Sequence, residues 1–536
     1  MKLSIICYLS DDKKLNQTTV EALEKMASYS LEHDNQVTVA GKHVDKKYNN
    51  GKKDSVTASY EVEVILNTDR VQDDRSWYEN VITRIGNHAF TSKVNKETYV
   101  SEQDAHQKMA EKASGDYIMI IHAGDDISSN LAEVFVKGNV HCYDMDTYMI
   151  TKAFHDETFG AFRNYKKVTD GEDIKSFYII DLKSKYDCFP FGFGGVIIRA
   201  EAFKKQSVDP ALGLEAERDF MLRLMAKTMK TCFLPYATLT AYEYEEHDNT
   251  FYRGLYMREW YFESVTDFWM PFLQEMKETY GSIPVFIQYN FMYSIMARFN
   301  GNMDNKNKHV IEEGHGEEYL KLIGQAFRLI EENIMLNRNK VKDCITGDTM
   351  KWVYGILRNG KDYKFERFFL AGKIYYGIGD TLFNSLMSLS TNILFINYRD
   401  GKLEIDGTVH PILYSMVDEV YFRYDNKKYK IQYNERYGLT KAFGAAICKR
   451  HSFHLSISVK DKSESELFCE AAIGSQLEPI NIRYPSHFSR VCNAFGSSHW
   501  VFGDNREYMM TAERKGIIIR KVNKRQKFIK ELKLLK

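Results

Sequence analysis

Short apolar runs alternate with amphipathic segments through the first part of the chain. The runs at Leu3–Leu9, Val62–Leu66 and Tyr117–Ile121 carry almost no polar alternation. Such runs are typical of strands buried on both faces of a parallel sheet. Segments with helical spacing lie between them, at residues 18–32, 77–85 and 102–112. Strands that alternate with helices predict an α/β fold with a parallel sheet.

The pattern changes twice further along the chain. Long apolar and aromatic stretches with few β-branched runs predict a helical region over residues 251–385, with helices near 260–276, 285–299, 319–336 and 350–357. After Asn392, short strand-like segments recur with turn residues between them, which is typical of an antiparallel β-sandwich. We therefore expect an α/β domain at residues 1–250, the helical region at 251–385, a β-sandwich at 386–520 and a tail at 521–536.

Composition excludes several classes of protein. A length of 536 residues is too great for one core, and 44% hydrophobic residues describe a packed globular chain. Lys+Arg 73 against Asp+Glu 73 gives a net charge of zero, which offers no general case for nucleic-acid binding. The eight cysteines include no C-x-x-C pair, so neither a zinc site nor a disulfide framework is predicted. Reduced thiols fit a cytoplasmic location.

Membrane contact is predicted only at the C-terminus. The first residues lack the long apolar region of a signal peptide, and no apolar run approaches the roughly 18 residues that span a bilayer. On a helix, Phe528, Leu532 and Leu535 of the strongly basic tail would share one face. Such a helix can bind an anionic membrane surface, which would place the protein on the inner face of the cell membrane. The alternative is a solvated helix that packs on the β region.

The strongest chemical signal follows the strand at Tyr117–Ile121. This apolar run ends abruptly in His122, Gly124, Asp125 and Asp126. Open α/β sheets bind ligands at the carboxyl ends of their strands. Two adjacent acids at such an end repel each other unless a cation lies between them and a substrate, and a divalent cation that holds a diphosphate meets that requirement. The structural alternative is an acidic turn after a strand.

The segment from Lys112 to Asp126 resembles the metal-binding strand end of family 2 glycosyltransferases with the GT-A fold. That family often reads (K/R)-A-x-G-(D/E)-Y-I-x-F-L-(D/N)-(S/A)-(D/G)-D, and here His122 stands where Asn or Asp is usual. The resemblance covers roughly residues 1–250. It implies that Asp125 is a metal ligand, with Asp126 as the alternative if the register shifts by one residue.

Two further strand ends resemble the nucleotide-binding segments of that family. Ser4-Ile-Ile-Cys-Tyr-Leu-Ser-Asp resembles the opening strand, whose end holds the base and ribose of a sugar nucleotide. The resemblance implies that Tyr8, Ser10 and Asp11 contact the nucleotide. The alternative for Tyr8 is that its side chain packs in the hydrophobic core. At the second strand end, Asn67 and Asp69 are alternative candidates for the position where the family places an acid that pairs with the base.

His106 and the segment around Pro190 extend the resemblance. His106 falls where the family has an Arg that donates hydrogen bonds near the nucleotide, and imidazole differs from it by titrating near neutral pH. Pro190-Phe-Gly-Phe-Gly-Gly resembles a segment in which paired glycines let a ligand approach the backbone. The resemblance implies that Gly194 and Gly195 line the site, with Phe191 and Phe193 available to stack on a sugar.

The acid cluster that begins at Leu214-Glu-Ala-Glu-Arg-Asp resembles the start of the helix that carries the family's catalytic base. The family's Asp aligns best with Glu217, with Asp219 and Glu215 as alternatives. Acids in a first helical turn are also favoured by the helix dipole alone. His247 falls where several family members place a residue over the diphosphate or on the metal, so it is a candidate metal ligand as well as a candidate solvated loop residue.

Together these motifs predict an inverting, metal-dependent glycosyltransferase. The expected donor is a nucleoside-diphosphate sugar such as a UDP-sugar, with Mn²⁺ or Mg²⁺ at Asp125 and Glu217 or Asp219 as the base. The later regions resemble extensions on glycosyltransferases of wall teichoic acid and capsule synthesis, which implies a polysaccharide or lipid-linked polymer acceptor and a homo-oligomer formed through the C-terminal region. A nucleotidyltransferase and a non-catalytic carbohydrate-binding or scaffold protein are the alternatives.

Overall fold

A computed structural model of the chain describes residues 1–39, 56–68, 75–86, 90–95, 97–99, 101–142, 145–154, 177–185, 189–241, 254, 256–303, 311, 314–336, 348–434, 439–449, 451–459, 461–483, 499–505, 507–512 and 516–522. It divides into two compact units, Met1–Gly301 and Asn302–Lys536. The helices that follow residue 251 therefore fall in both units. None of the described helices is both long enough and apolar enough to cross a membrane.

Most of the strands described in the first unit form one mixed sheet. The strands are β1 (Lys2–Tyr8), β2 (Gln36–Val39), β3 (Val56–Ser59), β4 (Glu61–Asn67), β5 (Thr91–Asn95), β6 (Tyr117–His122), β7 (Asp125–Ile127), β8 (Thr147–Phe154), β9 (Tyr178–Asp181), β10 (Val196–Arg199) and β11 (Lys230–Ala241). Their order is β5-β4-β1-β6-β10-β8-β11-β7, with β9 paired to β11, while β2 and β3 form a separate hairpin. Strands β5, β4, β1 and β6 are mutually parallel, which confirms the predicted α/β class.

Helices connect these strands and continue to the unit boundary. They are α1 (Lys13–Glu32), α2 (Arg75–Gly86), α3 (Glu102–Lys112), α4 (Leu131–His141), α5 (Ala200–Lys204), α6 (Ala216–Thr228), α7 (Arg258–Glu263), α8 (Met270–Tyr280) and α9 (Val285–Met303). Helix α1 begins earlier than its apolar spacing predicts, because the Asp12 side chain caps it by accepting the N–H groups of Lys14 and Leu15. A 3₁₀ turn at Pro210–Glu215 leads directly into α6.

The second unit contains four described helices and the remaining strands. The helices are α10 (His315–Phe327), α11 (Glu332–Leu336), α12 (Asp348–Asn359) and α13 (Pro411–Met416). The strands are β12 (Glu366–Leu370), β13 (Lys373–Ile378), β14 (Thr381–Ser385), β15 (Ser390–Arg399), β16 (Lys402–Val409), β17 (Glu419–Tyr424), β18 (Lys427–Lys430), β19 (Gln432–Asn434), β20 (Leu439–Ala442), β21 (Ala445–Lys449), β22 (His451–Ser458), β23 (Glu464–Ile473), β24 (Gln476–Arg483), β25 (His499–Phe502), β26 (Tyr508–Ala512) and β27 (Gly516–Lys521).

The predicted helical region ends earlier than residue 385. Strands β12, β13 and β14 form a three-stranded antiparallel sheet there. Positive φ angles at Ala371 (49°) and Gly372 (73°) make the tight turn between the first two strands, and such mirror-image turns favour hairpins. The aromatic and β-branched residues of β13 suit a pleated surface better than a helix.

The predicted β region is confirmed, and its described strand pairs are antiparallel except for β15 and β24, which pair in parallel. Its main sheet runs β19-β22-β16-β15-β24-β23-β27-β26-β25, with β17 and β18 joined through β23. Along β17 and β22 buried side chains alternate with more exposed ones. The rings of Phe422 on β17 and Phe453 on β22 lie 5.6 Å apart although their strands are not neighbours in the sheet. The two halves of the sheet therefore fold over each other, as in a sandwich.

A buried carboxylate in the first unit fixes the turn that leads into β6. Glu63 on β4 is fully buried and accepts hydrogen bonds from Ser4 Oγ (2.6 Å), Lys93 Nζ (2.6 Å) and the Ser114 N–H (2.8 Å). Burial alone would raise the pKa of Glu63, but these donors lower it to about 2. At Gly115 a Cβ would lie 2.6 Å from Ser4 Oγ, so only glycine fits between the turn and β1.

A buried arginine ties the helices after residue 251 to the acid-rich start of α6. Arg298 on α9 is fully buried and donates to the Trp260 carbonyl (2.6 Å), Ser264 Oγ (2.7 Å) and Glu215 Oε1 (3.2 Å). Glu215 is buried as well and pairs with Arg218 at 2.6 Å. Burial would raise the pKa of Glu215, but the charges of Arg218 and Arg298 hold it below its usual value.

Replacing Arg298 should therefore destabilise the protein strongly. Arg298→Met leaves part of a buried carboxylate uncompensated, and breaking such pairs costs about 3–5 kcal/mol. Urea unfolding followed by tryptophan fluorescence measures the loss. The control is Arg399→Met, since Arg399 pairs with Asp400 at the surface with 80% of its side chain exposed, and it should change stability by less than about 0.5 kcal/mol. Equal effects of the two substitutions would contradict this account of the Arg298 cluster.

Candidate functional site

Four parallel strands place polar residues in one row at the same edge of the sheet. His122 at the end of β6 pairs with Tyr8 on β1, Tyr8 pairs with Asn67 on β4, and Asn67 pairs with Asn95 on β5. Partners in neighbouring parallel strands point to the same face of a sheet. Tyr8 and Asn67, predicted to contact a nucleotide, therefore lie in register with His122, and both are buried.

Helix α3 brings Glu102 and His106 to this edge. Ser101 caps the helix by accepting the Asp104 N–H at 3.1 Å, and a spacing of four residues places Glu102 and His106 on one face. His106 is fully buried and packs edge-on against Tyr8, with ring centroids 6.0 Å apart, and against His122 at 5.3 Å. Glu102 Oε1 lies 3.2 Å from His122 Nε2 and 3.9 Å from His106 Nε2.

Glu217, in the first turn of α6, completes the group. Its Oε1 lies 3.5 Å from His106 Nδ1 and 3.7 Å from His122 Nε2, and its Oε2 accepts the Phe193 N–H at 3.0 Å. A Cβ at Gly192 would lie 2.6 Å from Oε2, so the carboxylate depends on glycine at that position. We call Glu102, His106, His122 and Glu217 the imidazole–carboxylate cluster.

The electrostatics of the cluster differ from one member to the next. Burial opposes protonation of His122, but contacts with Asp125, Glu102 and Glu217 raise its pKa well above 6.5. Burial would raise the pKa of Glu217, but His122 and the Phe193 N–H lower it. Burial lowers the pKa of His106 despite the nearby Glu217 carboxylate. At neutral pH the cluster thus holds an imidazolium, an ionised Glu217 and a neutral imidazole.

Asp125 lies beside the cluster, whereas Asp126 does not. Asp125 Oδ2 accepts the His122 N–H at 2.8 Å and lies 3.7 Å from His122 Nδ1. The next residue of β7, Asp126, points to the opposite face, as strand geometry requires. Burial and the charge of Glu21 raise the pKa of Asp126, and Lys25 opposes them, so its surroundings are those of α1. The two carboxylates therefore do not converge on one ion.

The two other candidate acids of α6 have separate partners. Asp219 accepts two hydrogen bonds from Arg223 Nε, at 2.8 and 3.0 Å, and Arg223 continues to Glu275. Glu215 belongs to the Arg298 cluster described above. Of the three candidate bases, only Glu217 contacts both His106 and His122 within the part of the chain that the structure describes.

Four further predicted residues, Ser10, Asp11, Gly194 and Gly195, lie within the described part of the chain. Asn16 fixes the backbone of Ser10, accepting its N–H at 2.9 Å and donating to its carbonyl at 2.8 Å. Asp11 is exposed at the same strand end. Gly194 lies against Lys152, whose Nζ would be 2.7 Å from an added Cβ, and Gly195 has a φ of 78°. Asp69, His247 and the tail from residue 523 onward lie outside the described residues.

The two phenylalanines expected to stack on a sugar are engaged elsewhere. Phe193 is fully buried and its ring packs at 5.2 Å from Phe220. Phe191 stacks on Tyr293 with centroids 4.6 Å apart. The ring of Phe193 cannot stack on a sugar because it is fully buried, and its N–H is donated to Glu217.

Sequence reasoning missed Glu102 and Lys152. Glutamate is common on helix surfaces, so Glu102 does not stand out in the sequence. Its spacing of four residues from His106 nevertheless indicates that the two share one face of a helix. Lys152 lies on β8, far in sequence from Gly194, and only the pairing of β8 with β10 brings the two together. The assembled site offers a carboxylate base, a protonated imidazole and a glycine-lined backbone, which suits proton abstraction beside an anionic leaving group.

Comparison with known proteins gives matches in solved structures alone. Neither a protein-family model nor a curated protein sequence matches the chain. The crystal structure of S. aureus TarS is 9% identical, covers 98% of this chain and 86% of that chain, and has a TM-score of 0.39. S. aureus TarS 1-349 in complex with UDP-GlcNAc is 12% identical, covers 72% of this chain and 99% of that chain, and has a TM-score of 0.41.

A third similar structure is the mannosyltransferase PcManGT from Pyrobaculum calidifontis in complex with GDP-Man and Mn²⁺. It is 11% identical, covers 47% of this chain and 59% of that chain, and has a TM-score of 0.28. The function proposed below rests on the motifs and the site of this chain.

The charge state of His122 can be measured directly. In metal-free protein, the pKa of the His122 imidazole should lie well above 6.5, because three carboxylates face it. Glu217→Gln should lower that pKa, and Asp219→Asn should leave it unchanged. NMR titration of ¹³C-labelled histidine rings measures it, with His122→Gln assigning the signal. The raised pKa contributes stability that is complete below pH 6.5 and is lost as the pH rises through the folded value. A wild-type pKa of 6.5 or lower would contradict this description.

Proposed function

We propose that this protein is an inverting glycosyltransferase that uses a nucleoside-diphosphate sugar, expected to be a UDP-sugar. The observation that carries the proposal is Glu217, an ionised carboxylate held by the Phe193 N–H next to two imidazoles at the ligand-binding edge of the sheet. It is also the residue that aligns best with the catalytic base of family 2 glycosyltransferases. Both the motif and the contacts of the site therefore favour Glu217 as the base.

The proposed reaction is a single displacement. Glu217 takes the proton from an acceptor hydroxyl while the hydroxyl oxygen attacks the anomeric carbon. The bond between that carbon and the diphosphate oxygen breaks, and the nucleoside diphosphate leaves with the electron pair. Attack from the face opposite the leaving group inverts the anomeric configuration. The row of strand ends at Tyr8 and Asn67 would hold the nucleotide, with Ser10 and Asp11 at its rim.

A divalent cation is part of the proposal. Asp125 fits the role of a ligand for Mn²⁺ or Mg²⁺, since its carboxylate lies at the strand end beside the cluster. Asp126, on the opposite face of β7, does not fit as a second ligand to the same ion. A bound cation would neutralise charge on the diphosphate as a Lewis acid. Lys152 would add positive charge from the protein itself, as would His122 when its imidazole is protonated.

The acceptor, location and assembly remain proposals from the sequence. The resemblance to teichoic acid and capsule glycosyltransferases supports a cell-surface polymer as the acceptor. It also supports a cytoplasmic enzyme that reaches a lipid-linked polymer at the membrane through its basic tail, and a homo-oligomer formed through the C-terminal region. Liposome co-sedimentation of the full chain and of a chain that ends at Arg520 tests the tail.

Donor use is tested with purified full-length protein, Mn²⁺ and a panel of sugar nucleotides that includes UDP-GlcNAc and GDP-mannose. Release of nucleoside diphosphate from one donor, above the buffer rate, supports sugar transfer. Release of pyrophosphate from a nucleoside triphosphate and a sugar phosphate would instead indicate a nucleotidyltransferase. Binding of glycans with no turnover of any donor would indicate the non-catalytic alternative.

Glu217→Gln should lower turnover by on the order of a hundredfold or more, as expected for a positioned base. Donor affinity should change little, because the substitution keeps the shape of the side chain and an acceptor for the Phe193 N–H. The matched control is Asp219→Asn, two residues away on the same helix and paired with Arg223. If Asp219→Asn reduces turnover and Glu217→Gln does not, the assignment of the base is wrong.

Asp125→Asn should abolish metal-dependent donor binding while the protein stays folded. Asparagine can still accept the His122 N–H, so the main loss is the charge. Isothermal titration with UDP and Mn²⁺ measures the effect, and Asp126→Asn is the neighbouring control. Full turnover of the wild-type enzyme in EDTA would refute metal dependence, and loss of binding in Asp126→Asn alone would shift the ligand by one residue.

A further inference from the structure

Three side chains of the cluster are of the types that bind metals, and their ligand atoms lie close together. One ligand atom each from Glu102, His106 and His122 lies within 4.8 Å of the other two. Two of these residues come from one helix face and the third from the end of a strand. This set is distinct from the oxygen ligand, Asp125, that the resemblance implies for a donor-bound cation.

The surroundings of the His106 imidazole indicate that it binds a metal ion. It is fully buried, and neither of its ring nitrogens has a hydrogen-bond partner among the described residues. Its nearest charged neighbours, at 3.5 and 3.9 Å, are beyond normal hydrogen-bond length. A buried polar group without a partner is costly, and native structures rarely leave one so. A metal ion bound to one ring nitrogen would satisfy it.

The orientation of the two imidazoles fits a metal between them. Each presents Nε2 toward Glu102 Oε1, at 3.2 Å for His122 and 3.9 Å for His106. Each presents Nδ1 toward a different carboxylate: Asp125 at 3.7 Å from His122 and Glu217 at 3.5 Å from His106. Histidines that bind metals commonly donate their other N–H to a carboxylate. Here the two Nδ1 atoms lie 3.5 and 3.7 Å from their carboxylates, close enough for such hydrogen bonds to form after a small shift of the rings.

The spacing and charge of the ligand atoms agree with this arrangement. Four ligands at about 2.0–2.1 Å around a tetrahedral ion are separated by about 3.3 Å. Glu102 Oε1 lies 3.2 Å from His122 Nε2 and 3.9 Å from His106 Nε2, and all three ligand atoms lie within 4.8 Å of one another, so the side chains would have to close in by at most about 1.5 Å. Three carboxylates, those of Glu102, Glu217 and Asp125, surround the two imidazoles. A cation would compensate this excess of negative charge and take the place of the His122 proton.

We propose that Glu102, His106 and His122 bind one transition-metal ion, with Zn²⁺ as the expected ion, and that Glu217 and Asp125 orient the two histidines. Two imidazoles and one carboxylate suit Zn²⁺ and other late first-row metals better than Mg²⁺. Three protein ligands leave a position open for water or substrate. The inference concerns metal binding alone and does not depend on the proposed sugar transfer.

The test uses the full-length protein after removal of metals with EDTA and dialysis. Titration with Co²⁺, followed by its visible absorption, reports binding to imidazole and carboxylate ligands, and displacement by Zn²⁺ gives the relative affinity. We expect one Co²⁺ per chain. Glu102→Gln and His122→Gln should each weaken binding more than about a hundredfold, because losing an outer-shell partner alone commonly costs 10–100-fold. Glu217→Gln should fall in that smaller range.

Folding and specificity controls keep the test decisive. Glu102 and His122 are each about a third exposed, at 29% and 34% of their side chains, so their variants should fold; thermal unfolding of the metal-free variants checks this. The matched control is His454→Gln in the second unit, an imidazole flanked by Glu404 at 2.8 Å and Asp406 at 2.9 Å, which should bind Co²⁺ as the wild type does.

Three results would overturn the inference: no stoichiometric Co²⁺ binding by the wild type, undiminished binding by Glu102→Gln and His122→Gln, or an equal loss in His454→Gln. Because no sugar nucleotide is present, failure of donor turnover would refute the proposed function and leave this result standing. Conversely, a protein that turns over donors but binds no Co²⁺ would refute the inference alone.

Discussion

The site depends on the position of one carboxylate, that of Glu217. It is held by the backbone N–H of Phe193 and lies within 4 Å of both His106 and His122. Through it, the start of α6, the glycine-rich segment before β10, helix α3 and the end of β6 meet at one point. Glycine at 192 leaves room for this position, because a Cβ there would lie 2.6 Å from Glu217 Oε2 and would displace the carboxylate.

The sheet supplies the rigid frame for this contact. The register of β5, β4, β1 and β6 aligns their carboxyl ends, and the buried Glu63 network closes the turn that starts β6. Behind α6, the pair of Glu215 with Arg298 anchors the same helix from its other side. The three acids of this short segment thus have different partners. Glu215 pairs with Arg298, Glu217 contacts His106 and His122, and Asp219 pairs with Arg223 of the same helix.

Many of the strands and several site residues could be predicted from the sequence, because local patterns of apolar residues and short motifs indicate them. Apolar runs located β1, β4 and β6 to within two residues, and strand-like segments located most of the C-terminal sheet. The motifs also identify His106, Asp125 and Glu217, which lie close together in the fold. Strand β7 was missed because three residues give no periodicity, and β12 to β14 were missed because their aromatic residues resemble those of the preceding helices.

Contacts between residues that lie far apart in the sequence could not be predicted. Nothing in the local pattern distinguishes Glu217 from Asp219, since both are acids in one first helical turn; the distinction arises from Arg223 on one side and the histidines on the other. The burial of Phe193 and the approach of Lys152 to Gly194 likewise depend on pairing between distant strands. The spacing of Glu102 and His106 places both on one helix face, but the contact of Glu102 with His122 depends on the packing of α3 against the end of β6.

The most direct test of this account is a crystal structure of the full chain with a nucleoside diphosphate and a divalent cation. The account predicts the nucleotide along the row formed by Asn67, Tyr8 and His122, with its diphosphate near Asp125 and with Glu217 facing the space next to it. A nucleotide bound elsewhere, with the imidazole–carboxylate cluster closed to it, would contradict the account.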